Sequence, residues 1–385
     1  MDNLLKSLTN TFRETFQREP EGFYFSPSRI NVIGEHIDYN GGSVLPFAIS
    51  LGTYGLVAPW DDYDFISLNV PGRVKTKKDH VNYNETFGWG NYPLGMIKAF
   101  QKAGYETPGF QGLFFGNIPN GAGLSSSASL EILTGEILKN LAQKGPDKVE
   151  MALLGQKVEN EHFGLQSGIM DQFIISMGKK DHGILLQTKD LSYKYLPMVM
   201  DHYIFVIMNT GVRRELVSGE YNSRREDCEN ALATLQKYFS IDYLCDLEMD
   251  NLDKALSLLS SPKEKKRVHH VITENHRVKK GVEALESKNF IALGEILNAS
   301  HMSLKTDYEV TGFELDTITE IARKHPSCLG ARMTGAGFSG CAIALVETTM
   351  VEEFISYVRK EYKNKTGQDG EFYKALPGDG ARKLY

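Results

Sequence analysis

The chain is poor in cysteine, and the four it has are not spaced for chemistry. Cys228, Cys245, Cys328 and Cys341 form no CxxC and no Cys/His pairing at zinc spacing. That argues against a zinc site and against a disulfide framework. No run approaches the ~18 apolar residues of a membrane span. The opening MDNLLKSLTNTF lacks the basic start and long apolar core of a signal peptide. Positive charge is not in excess either. The formal net charge is −6, so bulk electrostatics lend no support to a nucleic-acid or anionic-membrane partner. Tandem repeats and low-complexity segments are missing. A cytoplasmic protein with reduced thiols is expected.

What is there is ordinary in bulk and unusual in places. The 385 residues exceed the size at which single cores usually stop growing, so two domains are expected. Apolar residues at helical spacing over 4–16 (Leu4, Leu5, Leu8, Phe12, Phe16) predict an amphipathic first helix. Strands are predicted in GFYFSPSRINVIG, SVLPFAISLGTYGLVAPW, DFISLNV and FQGLFFGNIP, with a tight turn at Asn40-Gly41-Gly42. Helices follow over YPLGMIKAFQKAG, 125–144, 148–163 and 169–177, and HGILLQT and HYIFVIMNTG return to strand. The stretch from about 215 to 325 reads as mostly helical, and its basic run Lys263–Arg267 as a solvated helix face. SCLGARMTGAGFSGCAIALVE reads as two strands around a glycine-rich loop, before a last helix over 350–362. This mixed order predicts an α+β fold. The expected division is 1–185 and 186–385.

Three loops carry more polar chemistry than folding requires. SRINVIGEHID places Arg29, Asn31, Glu35, His36 and Asp38 among Ile30, Val32, Ile33 and Ile37. In NIPNGAGLSSSASLE, Pro119, Gly121 and Gly123 set a tight loop, and Ser125, Ser126, Ser127 and Ser129 lead into a helix. Glycines let backbone approach a ligand, and a helix start offers free N–H groups and a positive dipole end. Together they suit an anion, although a serine cap after a turn is the commoner use of such residues. The Walker pattern GxxxxGK[ST] and the HRD and DFG motifs are absent, so any nucleotide is held by another device. In GARMTGAGFSGC, four glycines in twelve residues suit a backbone wall or a plain hairpin equally. In SGIMDQFIISMG, Asp171 opens an apolar helix. It reads as a cap or as a base. Apolar neighbours would raise its proton affinity, and an arginine nearby would lower it.

Arg29–Tyr39, Pro119–Ser129 and Gly330–Gly340 together resemble the three ordered motifs of the GHMP kinases, which include galactokinase, homoserine kinase, mevalonate kinase and phosphomevalonate kinase. IGEHxDY is specific to the galactokinase branch. Trp89-Gly-Asn-Tyr92, Gly168-Ile-Met-Asp-Gln-Phe173 and Gly378-Asp-Gly-Ala-Arg382 also match, so the resemblance runs from about residue 20 to the end. It implies two α+β domains with the active site in the cleft between them. It implies transfer of the ATP γ-phosphate to the 1-hydroxyl of galactose with Mg²⁺, by a monomer. Asp171 would be the base and Arg29 its partner. Glu35, His36, Asp38, Gly168 and Tyr221 would contact the sugar. Trp89 would lie by the adenine. Pro119, Gly121, Ala122, Gly123, Leu124, Ser125, Ser126, Ser127 and Ala128 would hold the nucleotide, and Ser126 or Ser127 with Glu159 the metal. Relatives that phosphorylate N-acetylgalactosamine or galacturonate, or that only sense sugar, remain alternatives. The complete serine run favours an enzyme. Ser28 and Ser339 stand where the family usually has glycine.

Overall fold

A computed structural model of the chain describes residues 2–118, 123–212 and 217–385. Helices and strands are mixed in order, as an α+β fold requires. A six-stranded sheet runs in the order Arg382–Lys383, Gly22–Asn31, Pro46–Pro59, Phe110–Gly116, Tyr63–Ser67, Arg73–Thr76. Its pairings are antiparallel except that between Tyr63–Ser67 and Phe110–Gly116. The amphipathic helix Asp2–Phe16 covers one face. Its Leu5, Leu8, Phe12 and Phe16 pack with Phe25, Tyr54, Leu56 and Leu113 in a core of their own. The main core holds Ile30, Leu133 and Ile137, so the Ser126–Ala142 helix lies against the other face.

A four-stranded sheet follows the order Cys328–Thr334, Cys341–Glu347, Tyr203–Asn209, Glu371–Ala375. The inner two strands are almost wholly buried. Helices Phe290–Ser303 and Phe313–Lys324 pack on it. Beside them runs the long helix Pro262–Glu286. Its start is fixed by Pro262 and by Ser261, whose hydroxyl accepts the Glu264 N–H.

Two features depart from expectation. Lys263 and Lys266 are exposed, but Arg267 at the end of the same run is 1% exposed. Its guanidinium pairs with Asp227 and Glu309 and donates to the Asp307 carbonyl, so this part of the run is a buried brace and not a solvated face. The expected division at 185/186 falls inside the strand His182–Gln187, which pairs with Ser43–Val44 and Tyr193–Pro197. The last residues also return to the first sheet. Tyr24 and Phe25 face Lys383 and Arg382, and the N–H groups of Gly378, Gly380 and Ala381 donate to the carbonyls of Ala48, Gly178 and Ile175.

Among the described residues no helix is long and apolar enough to cross a membrane. All four cysteines are free thiols.

Candidate active site

The strand Gly22–Asn31 breaks register against its neighbour between Pro27 and Arg29. Such a bulge re-aims the side chains next to it. Ser28 sits in the break, fully buried, and its hydroxyl donates to the Leu124 carbonyl of the serine loop. The hydroxyl that departs from the family pattern thus ties the first motif to the second. Arg29 comes next. It is 3% exposed and grips Asp171 with two parallel hydrogen bonds of 2.7 Å, while its third nitrogen donates to the Gly123 carbonyl at 3.1 Å. The Ser125 hydroxyl also donates to Asp171. Neither residue caps a helix. Ser125 precedes the Ser126–Ala142 helix at φ 59° without a capping bond, and Asp171 lies in the first turn of Met170–Met177 with its carboxylate spent on Arg29 and Ser125.

These groups open onto a cavity of about 420 Å³, whose lining includes Arg29, Glu35, His36, Asp38, Ser125, Ser127, Glu159, Gly168, Asp171 and Tyr221. Glu35 is buried, and one of its oxygens accepts from the Gly335 N–H at 2.8 Å and the Thr334 hydroxyl at 2.9 Å. Arg332 lies 2.9 Å from the same oxygen. Asp38 packs so closely on Gly168 that a Cβ there would stand 1.8 Å from Oδ2, so only glycine fits. Burial pushes the Asp38 carboxyl up to about 6, aided by the charge of Asp171 and opposed by the N–H groups of Tyr39 and Met170. Burial also drives the His36 imidazole down to about 3, so the ring is neutral at pH 7.

Ser127 and Glu159 meet at 2.8 Å. Glu159 belongs to the π-helical turn Val158–His162, which continues the Lys148–Lys157 helix with a wider step. Burial raises its carboxyl to about 7, against the pull of the Ser127 hydroxyl. Ser126 is turned away from this pair. It lines a second hollow with Trp89, Tyr92 and Phe114, and Ser127 borders both spaces. The Trp89 indole nitrogen is buried with no partner among the described residues. Leu124 is buried, Gly123 is exposed at φ 70°, and Ala128 is buried in the helix. Pro119, Gly121 and Ala122 lie outside the described residues.

The third loop closes the wall. Gly335 has φ 84°, and a Cβ on it would meet the Gly123 carbonyl at 2.5 Å. Ser339 has φ 101°, a conformation that side chains rarely adopt, and its buried hydroxyl has no partner among the described residues. Sequence reasoning missed Arg332, Thr334 and Ala336, although all three stand inside GARMTGAG, and it missed Gln172 beside Asp171. Gln172 lines the cavity and donates to Glu131 at 3.3 Å. Glu131 is fully buried, and burial holds its carboxyl well above the usual range.

Comparison with known proteins matches this arrangement along the whole chain. Residues 10–59 match the galactokinase galactose-binding signature, 91–179 the N-terminal domain of GHMP kinases and 282–364 their C-terminal domain. Galactokinase of Staphylococcus carnosus is 47% identical over 384 residues, which is 98% of this chain and 99% of that one. The Lactiplantibacillus plantarum galactokinase is 46% identical over 382 residues, with 98% and 99% covered. The crystal structure of Lactococcus lactis galactokinase complexed with galactose superposes with a TM-score of 0.96 at 42% identity, covering 99% of this chain and all of that one. Methanococcus jannaschii mevalonate kinase shares the fold at 21% identity, with a TM-score of 0.67 over 93% of this chain and 98% of its own. The chain therefore belongs to the galactokinase family of the GHMP kinases.

Proposed function

We propose that the chain phosphorylates the C1 hydroxyl of α-D-galactose with ATP, giving galactose 1-phosphate and ADP, and that Asp171 is the base. The observation that carries the assignment is the Arg29–Asp171 ion pair, open to a cavity whose wall holds Glu35, Asp38 and Gly168 on one side and the serine helix start on the other. An arginine is charged at any working pH, so its two-point partner is the carboxylate. Asp171 takes the proton from the sugar's C1 hydroxyl. The freed oxygen attacks the γ-phosphorus, the bond from that phosphorus to the β,γ-bridging oxygen breaks, and ADP leaves with the electron pair. Arg29 faces the negative charge that builds on the transferring group. The rest of the work is positioning.

Glu35 and Asp38 would each accept from sugar hydroxyls, and Tyr221 would add one more polar contact. Asp38 keeps its carboxylate near Asp171, which favours a ligand that donates a hydrogen bond between them. His36 has both ring nitrogens hydrogen-bonded within the protein, so its ring would serve as wall more than as ligand. Trp89 and its hollow would take the adenine. One carboxylate and one hydroxyl beside a phosphate site suit Mg²⁺, which usually relies on few protein ligands and the substrate's phosphates. Ser127 and Glu159 fit that role, and Ser126 does not touch Glu159. When bound, the metal would neutralise phosphate charge. The unpaired thiols support a reducing, cytoplasmic setting.

The test is an ADP-release assay with the purified protein on a panel of sugars, with the product identified. Galactose should give the 1-phosphate. Turnover of N-acetylgalactosamine or galacturonate without galactose would move the assignment to a sister activity, and ATP use by none of them would move it to a sensor.

A further inference from the structure

Behind the sugar-facing wall lies a run of buried polar groups that the reaction does not use. The two ring nitrogens of His36 contact the Tyr39 hydroxyl at 2.8 Å and the Ala336 carbonyl at 3.2 Å. Tyr39 contacts the Tyr308 hydroxyl at 2.8 Å, and Tyr308 contacts the Cys228 sulfur at 3.2 Å. The Asn40 amide reaches back to Cys228 at 3.8 Å and to the His36 carbonyl at 3.0 Å, so the run closes on itself.

The chemistry of the groups fixes the direction of every bond. A carbonyl only accepts, so His36 Nε2 carries the proton. The ring is neutral, which leaves Nδ1 as an acceptor that Tyr39 must serve. Tyr39 has one proton, now spent, so its oxygen accepts from Tyr308. Tyr308 is then spent in turn and accepts from the Cys228 thiol. The rings pack, tilted to one another, along the same path. His36 lies 4.9 Å from Tyr308 and 5.5 Å from Tyr221, and His270 lies 4.6 Å from Tyr308 while holding the Glu35 carbonyl at 3.0 Å.

We infer that a one-way relay, Cys228 to Tyr308 to Tyr39 to His36, fixes the tautomer of His36 and so holds the first motif against Ala336 of the third. Cys228, Tyr308 and Tyr39 are then positioning residues for sugar binding. They act through His36 and touch no reacting atom. A neutral Nε2–H ring grips the Ala336 carbonyl; the opposite tautomer would set a bare nitrogen against it and release the loop that supports Glu35.

Selective ¹⁵N-histidine labelling, with the His36 signal assigned by its loss in His36→Gln, reads the tautomer directly. The expected result is a neutral ring protonated at Nε2 at pH 7. Protonation at Nδ1, or a charged ring, overturns the relay. This arm does not depend on the proposed reaction. The kinetic arm does rest on that reading. Tyr39→Phe leaves a buried acceptor unserved and should raise the KM for galactose roughly tenfold with kcat little changed. Tyr308→Phe should raise it less, and Cys228→Ala less again. Cys228→Ser, which keeps a donor, should reverse the Cys228→Ala rise. Equal effects at all three positions, or a fall in kcat without a rise in KM, would overturn the proposal. If the wild-type protein fails to phosphorylate galactose while His36 shows the expected tautomer, the reaction assignment falls and the relay stands.

Discussion

Asp171 shows how one carboxylate is prepared by its neighbours. Three donors converge on it, two from Arg29 and one from Ser125, and the cavity lies beyond. Asp171→Asn keeps the shape but cannot accept the proton. It should lower kcat by roughly 10²–10⁴-fold. Because it leaves the buried Arg29 without its carboxylate, it should also lower the melting temperature, so turnover is compared at a temperature where circular dichroism shows both proteins folded. Near-normal turnover by the purified variant would remove Asp171 from the base role. Glu159 gives a second residue-scale prediction. Its carboxyl, raised to about 7, would have to be ionised to hold Mg²⁺ as proposed. Metal affinity in the presence of a non-hydrolysable ATP analogue should therefore fall as pH drops below 7, by up to tenfold per unit. ATP titrates as well, so the informative quantity is the difference from Glu159→Gln, measured by calorimetry at pH 5.5 and 7.5. That difference should shrink at the lower pH; a constant difference would contradict the metal assignment. The linkage has a cost in the metal-free protein. A folded-state value above the unfolded one means that this group destabilises the fold progressively as pH rises from about 4.5 to about 7.

At the scale of elements, the glycine-rich loop between Cys328–Thr334 and Cys341–Glu347 is the most constrained. Gly335, Gly337, Phe338, Ser339 and Gly340 all have positive φ. Ser339 at φ 101° should carry on the order of 1–3 kcal/mol of strain. Ser339→Gly should raise the melting temperature by about a degree or more for a chain of this length. Differential scanning calorimetry decides it, and a lower melting temperature would mean that the buried hydroxyl does more for stability than the strain costs. The same loop shows what a sequence can and cannot display. Its glycines are visible as composition, and most helices and long strands are visible as periodicity. Arg73–Thr76, Tyr193–Pro197, Glu371–Ala375 and Arg382–Lys383 passed unseen because edge strands this short bury too few side chains to leave a pattern. The π-helical turns left no pattern either. Arg29, Glu35, Asp38 and Asp171 stood out as polar groups set among apolar ones, and the structure gathers them on one cavity. Cys228 and Tyr308 gave no signal, since an isolated cysteine and tyrosine acquire meaning only when folding brings them to Tyr39 from across the chain.

For the whole molecule, the feature that matters most is the return of the C-terminus. Residues 377–385 run along the first sheet and under the helix that carries Asp171. Ala381 donates to Ile175 within that helix, Gly380 to Gly178 at its end, and Leu384 to Phe23. A chain ending at Pro377 loses this strap and leaves the carbonyls of Ala48, Ile175 and Gly178 without their donors. It should melt at a markedly lower temperature and lose most turnover, although no cavity residue has been removed. Full activity after this truncation would show that the helix is positioned without it. The consequence reaches back to synthesis. A ribosome makes the loops that line the cavity well before residues 377–385, yet the sheet beneath them stays open at one edge until Arg382–Lys383 leaves the exit tunnel. Domains usually fold in turn, N-terminal first. Here the first sheet waits for a segment made long after the serine loop, so a chain released before that segment is a substrate for quality control and not a slower enzyme.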